Sequence, residues 1–244
     1  MPGRGSSTGY GRSWRRVGSE VGRRSVGALT GDQVLGLLRE AGALLEGHFL
    51  LSSGLHSPRY IQCARLLQHP ALAERACGAL AEKVRALGAV DAVVGPALGG
   101  IIVAYELARA LGVRGLFAER EQGRMTLRRG FRIAPGERVL IAEDVVTTGR
   151  SSLEVAAVVD ACGGNVVGVA CLVDRRAQDD LALPLVSLVK MAIETHPPET
   201  CPLCRRGLPL VKPGSRDVGE SPSEMEAPRW PPCPGVPRTA GRPP

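Results

Sequence analysis

The chain has 244 residues, 44% hydrophobic and 23% charged, with a mean hydropathy of +0.02. That composition suits one domain of ordinary size with tails and excludes a disordered acidic chain or a membrane-embedded bundle. The net charge of +7 is lopsided: residues 1–28 carry six Arg against one Glu, residues 29–213 carry 21 basic against 19 acidic groups, and residues 214–244 carry four of each. A nearly neutral middle argues against a broad nucleic-acid-binding face. Arginine outnumbers lysine 28 to 3, so a single arginine carries little weight by itself. No apolar run reaches the ~18–20 residues of a spanning helix, and no apolar core follows the N-terminal arginines as in a secretory signal. Seven cysteines, an odd set, read as free thiols in a chain of this length. A cytoplasmic protein that neither crosses nor binds membranes is expected.

Residues 1–28 are rich in Gly, Ser and Arg without an apolar period, which predicts a basic disordered arm. Residues 214–244 hold eight prolines and predict a Pro-rich disordered tail. Between them, residues 29–213 alternate helix and strand. Thr30 and Gln33 form a capping box ahead of Val34, Leu37, Leu38 and Ala41, with Gly42 as the stop. Residues 44–63 mix short apolar runs with Gly, Ser and Pro, as a strand or hairpin would, and Pro70 to Leu87 has helical spacing closed by Gly88. Four β-branched runs follow, Ala92 to Val94, Val113 to Phe117, Arg138 to Ala142 and Asn165 to Val173. Helical stretches Ile101 to Leu111 and Ser152 to Cys162 separate the first pair and the last pair. This is βαβ grammar and predicts an α/β fold, a mostly parallel sheet with helices on both faces. In such sheets ligands bind at loops leaving the carboxyl ends of strands.

The most informative of those loops follows the apolar run Val139 to Ala142. It places Glu143 and Asp144 side by side, then Val145, Val146, Thr147, Thr148, Gly149, Arg150, Ser151 and Ser152 at the opening of a helix. Amides, hydroxyls and a helix N-terminus make a phosphate cradle, and an acidic pair suits vicinal sugar hydroxyls and a hydrated magnesium ion. Helix capping alone would need a single Thr or Ser. Neither a Walker motif nor a dinucleotide fingerprint is present. A second turn, Gly95-Pro96-Ala97-Leu98-Gly99-Gly100, follows another strand and could bind a further anionic group or be a structural turn.

The 143–152 stretch resembles the phosphoribosyl pyrophosphate (PRPP) signature of type I phosphoribosyltransferases. That resemblance implies PRPP contacts from Glu143, Asp144, Val145, Val146, Thr147, Thr148, Gly149, Arg150 and Ser151, and a pyrophosphate loop at Ala97, Leu98, Gly99 and Gly100. Ser52 to Gln62 resembles the small N-terminal hood of orotate phosphoribosyltransferases, and Leu172-Val-Asp174-Arg175 resembles the strand end that meets the orotate carboxylate there. Arg175 and Thr147 are then the implied orotate contacts, and a planar guanidinium suits a carboxylate. Residues 118–132 hold five arginines between two strands, in the place of that family's mobile catalytic loop. The implied catalytic residues are Arg120, Arg124 and Asp144, with Arg128 and Arg129 nearby; arginines would act there by charge rather than by proton transfer. The resemblance further implies transfer of phosphoribosyl from PRPP to orotate in pyrimidine biosynthesis, Mg²⁺ as cofactor and a homodimer. A phosphoribosyltransferase for another base, or a non-catalytic PRPP-binding regulator that meets DNA through the arm, are the competing expectations.

Cys201-Pro-Leu-Cys204 is a lone CxxC. Zinc needs about four ligands, and only His196 and Cys233 lie near it in the sequence, so a redox pair or a buried turn is expected and no metal site is assigned.

Overall fold

The structure, a computed structural model, describes residues 29–213; the expected arm at 1–28 and tail at 214–244 lie outside the described residues. Helix α1 (Gly31–Glu40) opens with the expected capping box: the Gln33 amide donates to Thr30 Oγ1 at 3.3 Å and the Thr30 amide donates to Gln33 Oε1 at 2.9 Å. Strands β1 (Leu44–Leu50) and β2 (His56–Ile61) then pair as an antiparallel hairpin. The short α2 (Ala64–Leu67) leads to α3 (Pro70–Val84), whose first position is a proline that fits the helical φ and needs no amide partner.

The main sheet has six strands in the order β5-β4-β3-β6-β7-β8. Its parallel members are β3 (Ala92–Pro96), β4 (Arg114–Glu121), β6 (Arg138–Val146), β7 (Asn165–Asp174) and β8 (Leu185–Lys190), and β5 (Arg124–Leu127) runs antiparallel at one edge. Helices α4 (Gly99–Leu111) and α5 (Arg150–Ala161) are the crossovers β3–α4–β4 and β6–α5–β7. Side chains alternate along β6: Leu140 and Ala142 enter the core shared with α1, α3 and α4, whereas Val139 and Ile141 enter the one beneath α5. Period-two alternation therefore puts a helix layer on each face, which is the expected α/β architecture with a small hood.

Two strands differ from the sequence expectation. The Arg124–Leu127 strand β5 occupies part of the segment expected to be a loop, and β8 extends the sheet where no strand was expected. The reason for the second lies in the connection. Residues 175–184 join the parallel strands β7 and β8 without a helix, so the usual helical signal of a parallel crossover is missing.

Candidate active site

Because β3, β6 and β7 are neighbours and parallel, the turns leaving their carboxyl ends lie together. The β3–α4 turn is held tight by glycine. A Cβ on Gly95 would lie 2.2 Å from the Gly100 carbonyl oxygen, and one on Gly100 would lie 2.7 Å from the Ala142 carbonyl oxygen. The Ala97 amide donates to Ala118 O at 2.7 Å, the Ala97–Leu98 peptide is cis, and the Leu98 side chain is exposed. Gly99 meets the other turn: a Cβ there would sit 2.6 Å from Asp144 Oδ1. The pyrophosphate-loop candidate and the acidic pair thus form one site.

Consecutive strand residues point to opposite faces, so the pair divides. Asp144 turns toward Gly99 and accepts from the Val145 amide at 2.9 Å, while Glu143 sits beside Ser152 of α5. Burial, then the neighbouring Asp144 charge, push the Glu143 carboxyl up to about 8, with Ser152 acting in the opposite direction. Burial also raises Asp144, opposed by the Val145 amide. A raised carboxyl binds a proton in the folded state that the unfolded chain has lost, so its contribution favours folding most below the unfolded value of about 4.5 and is lost as pH rises toward 8. Glu143→Gln is therefore expected to flatten the fall in melting temperature between pH 5 and 8 and to leave the variant more stable than the parent at pH 8 and above. The gain is bounded by about 1.4 kcal/mol per pH unit of the window. Identical melting profiles of parent and variant would contradict this electrostatic picture.

After Asp144 the backbone leaves the sheet. Val146 is buried below the turn and Val145 half-buried, while Thr147 and Thr148 are exposed in the mouth of the site. Gly149 caps α5 with φ +71, a left-handed conformation suited to glycine, and a Cβ there would strike Leu181 Cδ1 at 2.5 Å. The Arg150 amide donates to Thr148 Oγ1 at 3.4 Å, but its side chain pairs with Glu154 one helical turn on, Nε to Oε1 at 3.0 Å. Arg150 thus contributes backbone to the cradle and turns its charge toward α5.

Arg175 follows β7, its amide donating to Val146 O at 2.8 Å. Its guanidinium is half-buried, and Nε is buried with no hydrogen-bond partner among the described residues. Desolvation lowers its pKa, opposed by Tyr60 of the hood. The adjacent Arg176 has the opposite character. It binds Asp174 through two contacts of 3.0 Å and reaches Asp179 at 3.2 Å, with Arg176 and Asp174 both buried. Of two consecutive arginines one is bound within the fold and the other retains donor capacity.

The stretch 118–132, expected as a mobile loop, is largely a β-hairpin; this corrects the expectation. Ala118 pairs with Leu127 and Glu121 with Arg124 around the turn at Gln122 and Gly123, and Ala118 and Met125 are buried. Most of its arginines are committed. Arg120 pairs with Glu154, Arg128 with Glu121 at 3.3 Å, and Arg129 with Glu119 at 3.1 Å while lying over the Phe117 ring. Through Glu154, Arg120 is linked to Arg150 at the cradle. Arg124 lines a surface groove of about 590 Å³ between β5 and α5, together with Thr126, Glu154 and Val158, so the structure does not bring it onto the β3–α4 turn.

Sequence reasoning missed Tyr60 as a neighbour of Arg175, and it missed the partners of the CxxC. His48 and His56 of the hood hairpin, not His196, meet Cys201 and Cys204. His196 instead pairs through its backbone with His56 and through Nε2 with Glu194, and Cys233 lies outside the described residues. No local signal connects residues ~150 positions apart; only the two histidines flanking one turn in 44–63 hinted at a paired site.

Residues 62–183, which include both turns at the ends of these neighbouring parallel strands and the acidic pair, match the phosphoribosyl transferase domain family. Orotate phosphoribosyltransferase of Heliobacterium modesticaldum is 56% identical over 187 residues, covering 76% of this chain and 98% of the relative. That of Pelotomaculum thermopropionicum is 53% identical over 191 residues, covering 78% and 100%. Among solved structures, orotate phosphoribosyltransferase from Aeropyrum pernix superposes with a TM-score of 0.54 at 32% identity, covering 65% of this chain and 93% of that one. The chain belongs to the orotate phosphoribosyltransferase family.

Proposed function

We propose that this chain joins N1 of orotate to C1 of the PRPP ribose, releasing pyrophosphate and forming orotidine 5'-monophosphate in pyrimidine biosynthesis. The observation that carries the choice of base is Arg175, a desolvated guanidinium at the end of β7, beside the PRPP turn, whose Nε has no partner among the described residues. A neutral base would leave that charge without a counterpart. Thr147, exposed in the same mouth, is the second orotate contact. The turn from Thr147 to Ser151 cradles the 5'-phosphate, Glu143 and Asp144 accept from the ribose hydroxyls, and Ala97 to Gly100 offers amides to the pyrophosphate.

Magnesium fits this site because the donors beside the β3–α4 turn are carboxylate oxygens, the ligand type of a hard cation that keeps most of its water. Asp144 would hold the hydrated ion there, and when bound the ion would supply charge neutralisation for a departing pyrophosphate. The protein's own contribution is alignment of the base against C1 and stabilisation of the leaving group by the amides of the β3–α4 turn. Protonated Glu143 is a weaker acceptor than the carboxylate, so the ribose site improves as pH rises toward 8.

A homodimer is supported by the apolar surface at the start of α4, where Leu98, Ile102 and Tyr105 are exposed at 84%, 43% and 64%. No helix among the described residues is long and apolar enough to cross a membrane, and cytoplasmic placement accords with the free thiols there. Turnover of PRPP with magnesium and orotate, measured as pyrophosphate release beside uracil and adenine controls, tests the assignment. Release with orotate alone is the expected result. Release with another base, or none with any base, overturns it, and binding of PRPP without turnover would favour a regulator.

A further inference from the structure

Apart from the site above, one other cluster among the described residues brings chemistry-bearing side chains together: His48, His56, Cys201 and Cys204, whose donor atoms all lie within 4.8 Å of one another. Its residues come from three elements, β1, β2 and the C-terminal α6 (Pro202–Arg205) with the residue before it. The two histidines are aimed by identifiable local causes. The β1–β2 register breaks between Glu46 and Phe49, and the break leaves His48 and Phe49 both buried although they are consecutive in a strand. Regular alternation would have sent His48 to the opposite side from Phe49; the bulge turns it inward. His56 opens β2 and is fixed by a two-way backbone bridge to His196, amide to carbonyl at 2.8 Å each way.

The distances are those of a coordination shell. His48 Nε2 lies 3.0 Å from His56 Nδ1, 3.5 Å from Cys201 Sγ and 3.6 Å from Cys204 Sγ, and Cys204 Sγ lies 3.2 Å from His56 Nδ1. A tetrahedral zinc ion with Zn–N of about 2.0–2.1 Å and Zn–S of about 2.3 Å keeps a nitrogen and a sulfur ligand about 3.5 Å apart. The tautomer is also set. His48 Nδ1 is 2.9 Å from the Leu208 carbonyl oxygen, which can only accept, so Nδ1 carries the proton and Nε2 presents its lone pair inward. His48, His56 and Cys201 are buried, at 3%, 5% and 0% exposure. Cys201 and Cys204 are not disulfide-bonded.

We propose that His48, His56, Cys201 and Cys204 bind one structural zinc ion, separate from the phosphoribosyl-transfer site, which staples the hood hairpin to the C-terminal segment. On binding, the two thiols lose their protons to solvent and two thiolates balance the divalent charge, giving a neutral centre suited to a largely buried position. The need for a staple is physical. The hood is a two-stranded sheet that does not pair with the six-stranded one, and an isolated hairpin is marginal in water. Besides the His56–His196 bridge and the His48–Leu208 contact, the C-terminal segment meets it through the Leu50 and Val211 amides, which donate to Val211 O and His48 O at 2.8 Å, and the Ser57 hydroxyl, which donates to Glu194 O at 3.0 Å. All four ligand positions come from protein, which marks a closed, structural site.

The test uses the full chain, purified without an affinity tag and without chelator. Elemental analysis is expected to find one zinc ion per chain. Replacement by cobalt should give the visible bands of a tetrahedral ion and a thiolate-to-cobalt charge-transfer band. Cys204→Ser, at the exposed ligand, should lower zinc to trace levels and reduce the melting temperature by several degrees. Because that variant could fail to fold, the wild-type chain is also titrated with a chelator, which should lower its melting temperature and be reversed by zinc but not by magnesium. Trace zinc in the wild-type chain that does not rise on dialysis against zinc, an octahedral cobalt spectrum, or full zinc content in Cys204→Ser would overturn the proposal. None of these readouts depends on turnover, so failure of the zinc site and failure of the transferase assignment are distinguishable.

Discussion

Arg175→Ala is expected to raise the KM for orotate far more than that for PRPP, with kcat/KM for orotate falling roughly 30-fold to 1000-fold. The magnitude follows from losing a charge-assisted pair in a desolvated site, about 2 to 4 kcal/mol at about 1.4 kcal/mol per decade. Desolvation already disfavours the charged guanidinium in the free protein, and its Nε has no partner among the described residues. The folded chain therefore bears a cost that a bound carboxylate would offset. Removing the side chain should leave the melting temperature unchanged or slightly raised, which separates a binding role from a packing role. Arg175→Lys should recover only part of the loss, since an ammonium restores charge but not the planar two-point contact. Arg176→Ala is the informative contrast. It leaves the buried Asp174 without its guanidinium partner, with only the backbone amide of residue 176 donating to it, so the expected outcome is loss of stability. Steady-state kinetics with each substrate varied in turn, beside thermal melts of the three variants, check the set. Unchanged orotate kinetics in Arg175→Ala would mean that the base is read elsewhere.

The contrast between Arg175 and Arg176 also marks where the sequence ceases to inform. Polar residues at a strand end, interrupted by glycine and followed by a helical period, identify a ligand loop because each element of that pattern is local. The 143–152 turn was legible for that reason, as were the capping box at Thr30 and the βαβ order. Which carboxylate of the pair faces the β3–α4 turn was not legible, since it depends on how β6 registers against β3. The hairpin at 118–127 was hidden by its arginines, which look like a loop's cations until Glu119, Glu121 and Glu154 are brought beside them. The four-residue cluster at His48 shows the limit most plainly. A CxxC is a local signal for half a site, but the other half is defined by a strand bulge and a chain return ~150 residues away, neither of which has a periodicity to detect.

The acidic pair and the glycine opposite it give the second large effect. Asp144→Asn is expected to lower kcat/KM for PRPP about 100-fold, the loss of roughly 3 kcal/mol of charged acceptance toward ribose hydroxyls and a hydrated ion. Folding should survive, because burial already raises this carboxyl and the neutral amide is less costly to desolvate. Gly99→Ala approaches the same interaction from the other side. Its Cβ would stand 2.6 Å from Asp144 Oδ1 and 2.8 Å from Oδ2, well inside van der Waals contact, so the carboxylate or the turn has to move. The expected loss is about 10-fold in kcat/KM for PRPP, since a displacement of under 1 Å weakens alignment without deleting the charge. If both substitutions act through one carboxylate, their effects cannot add. The double variant Gly99→Ala/Asp144→Asn should be no more than about twofold worse than Asp144→Asn alone, a coupling of about 1 kcal/mol. PRPP kinetics on the four proteins of this cycle, with melting curves to confirm folding, decide the matter. Additive losses would place Gly99 and Asp144 in separate interactions with the substrate, and wild-type kinetics in Asp144→Asn would remove Asp144 from the ribose site.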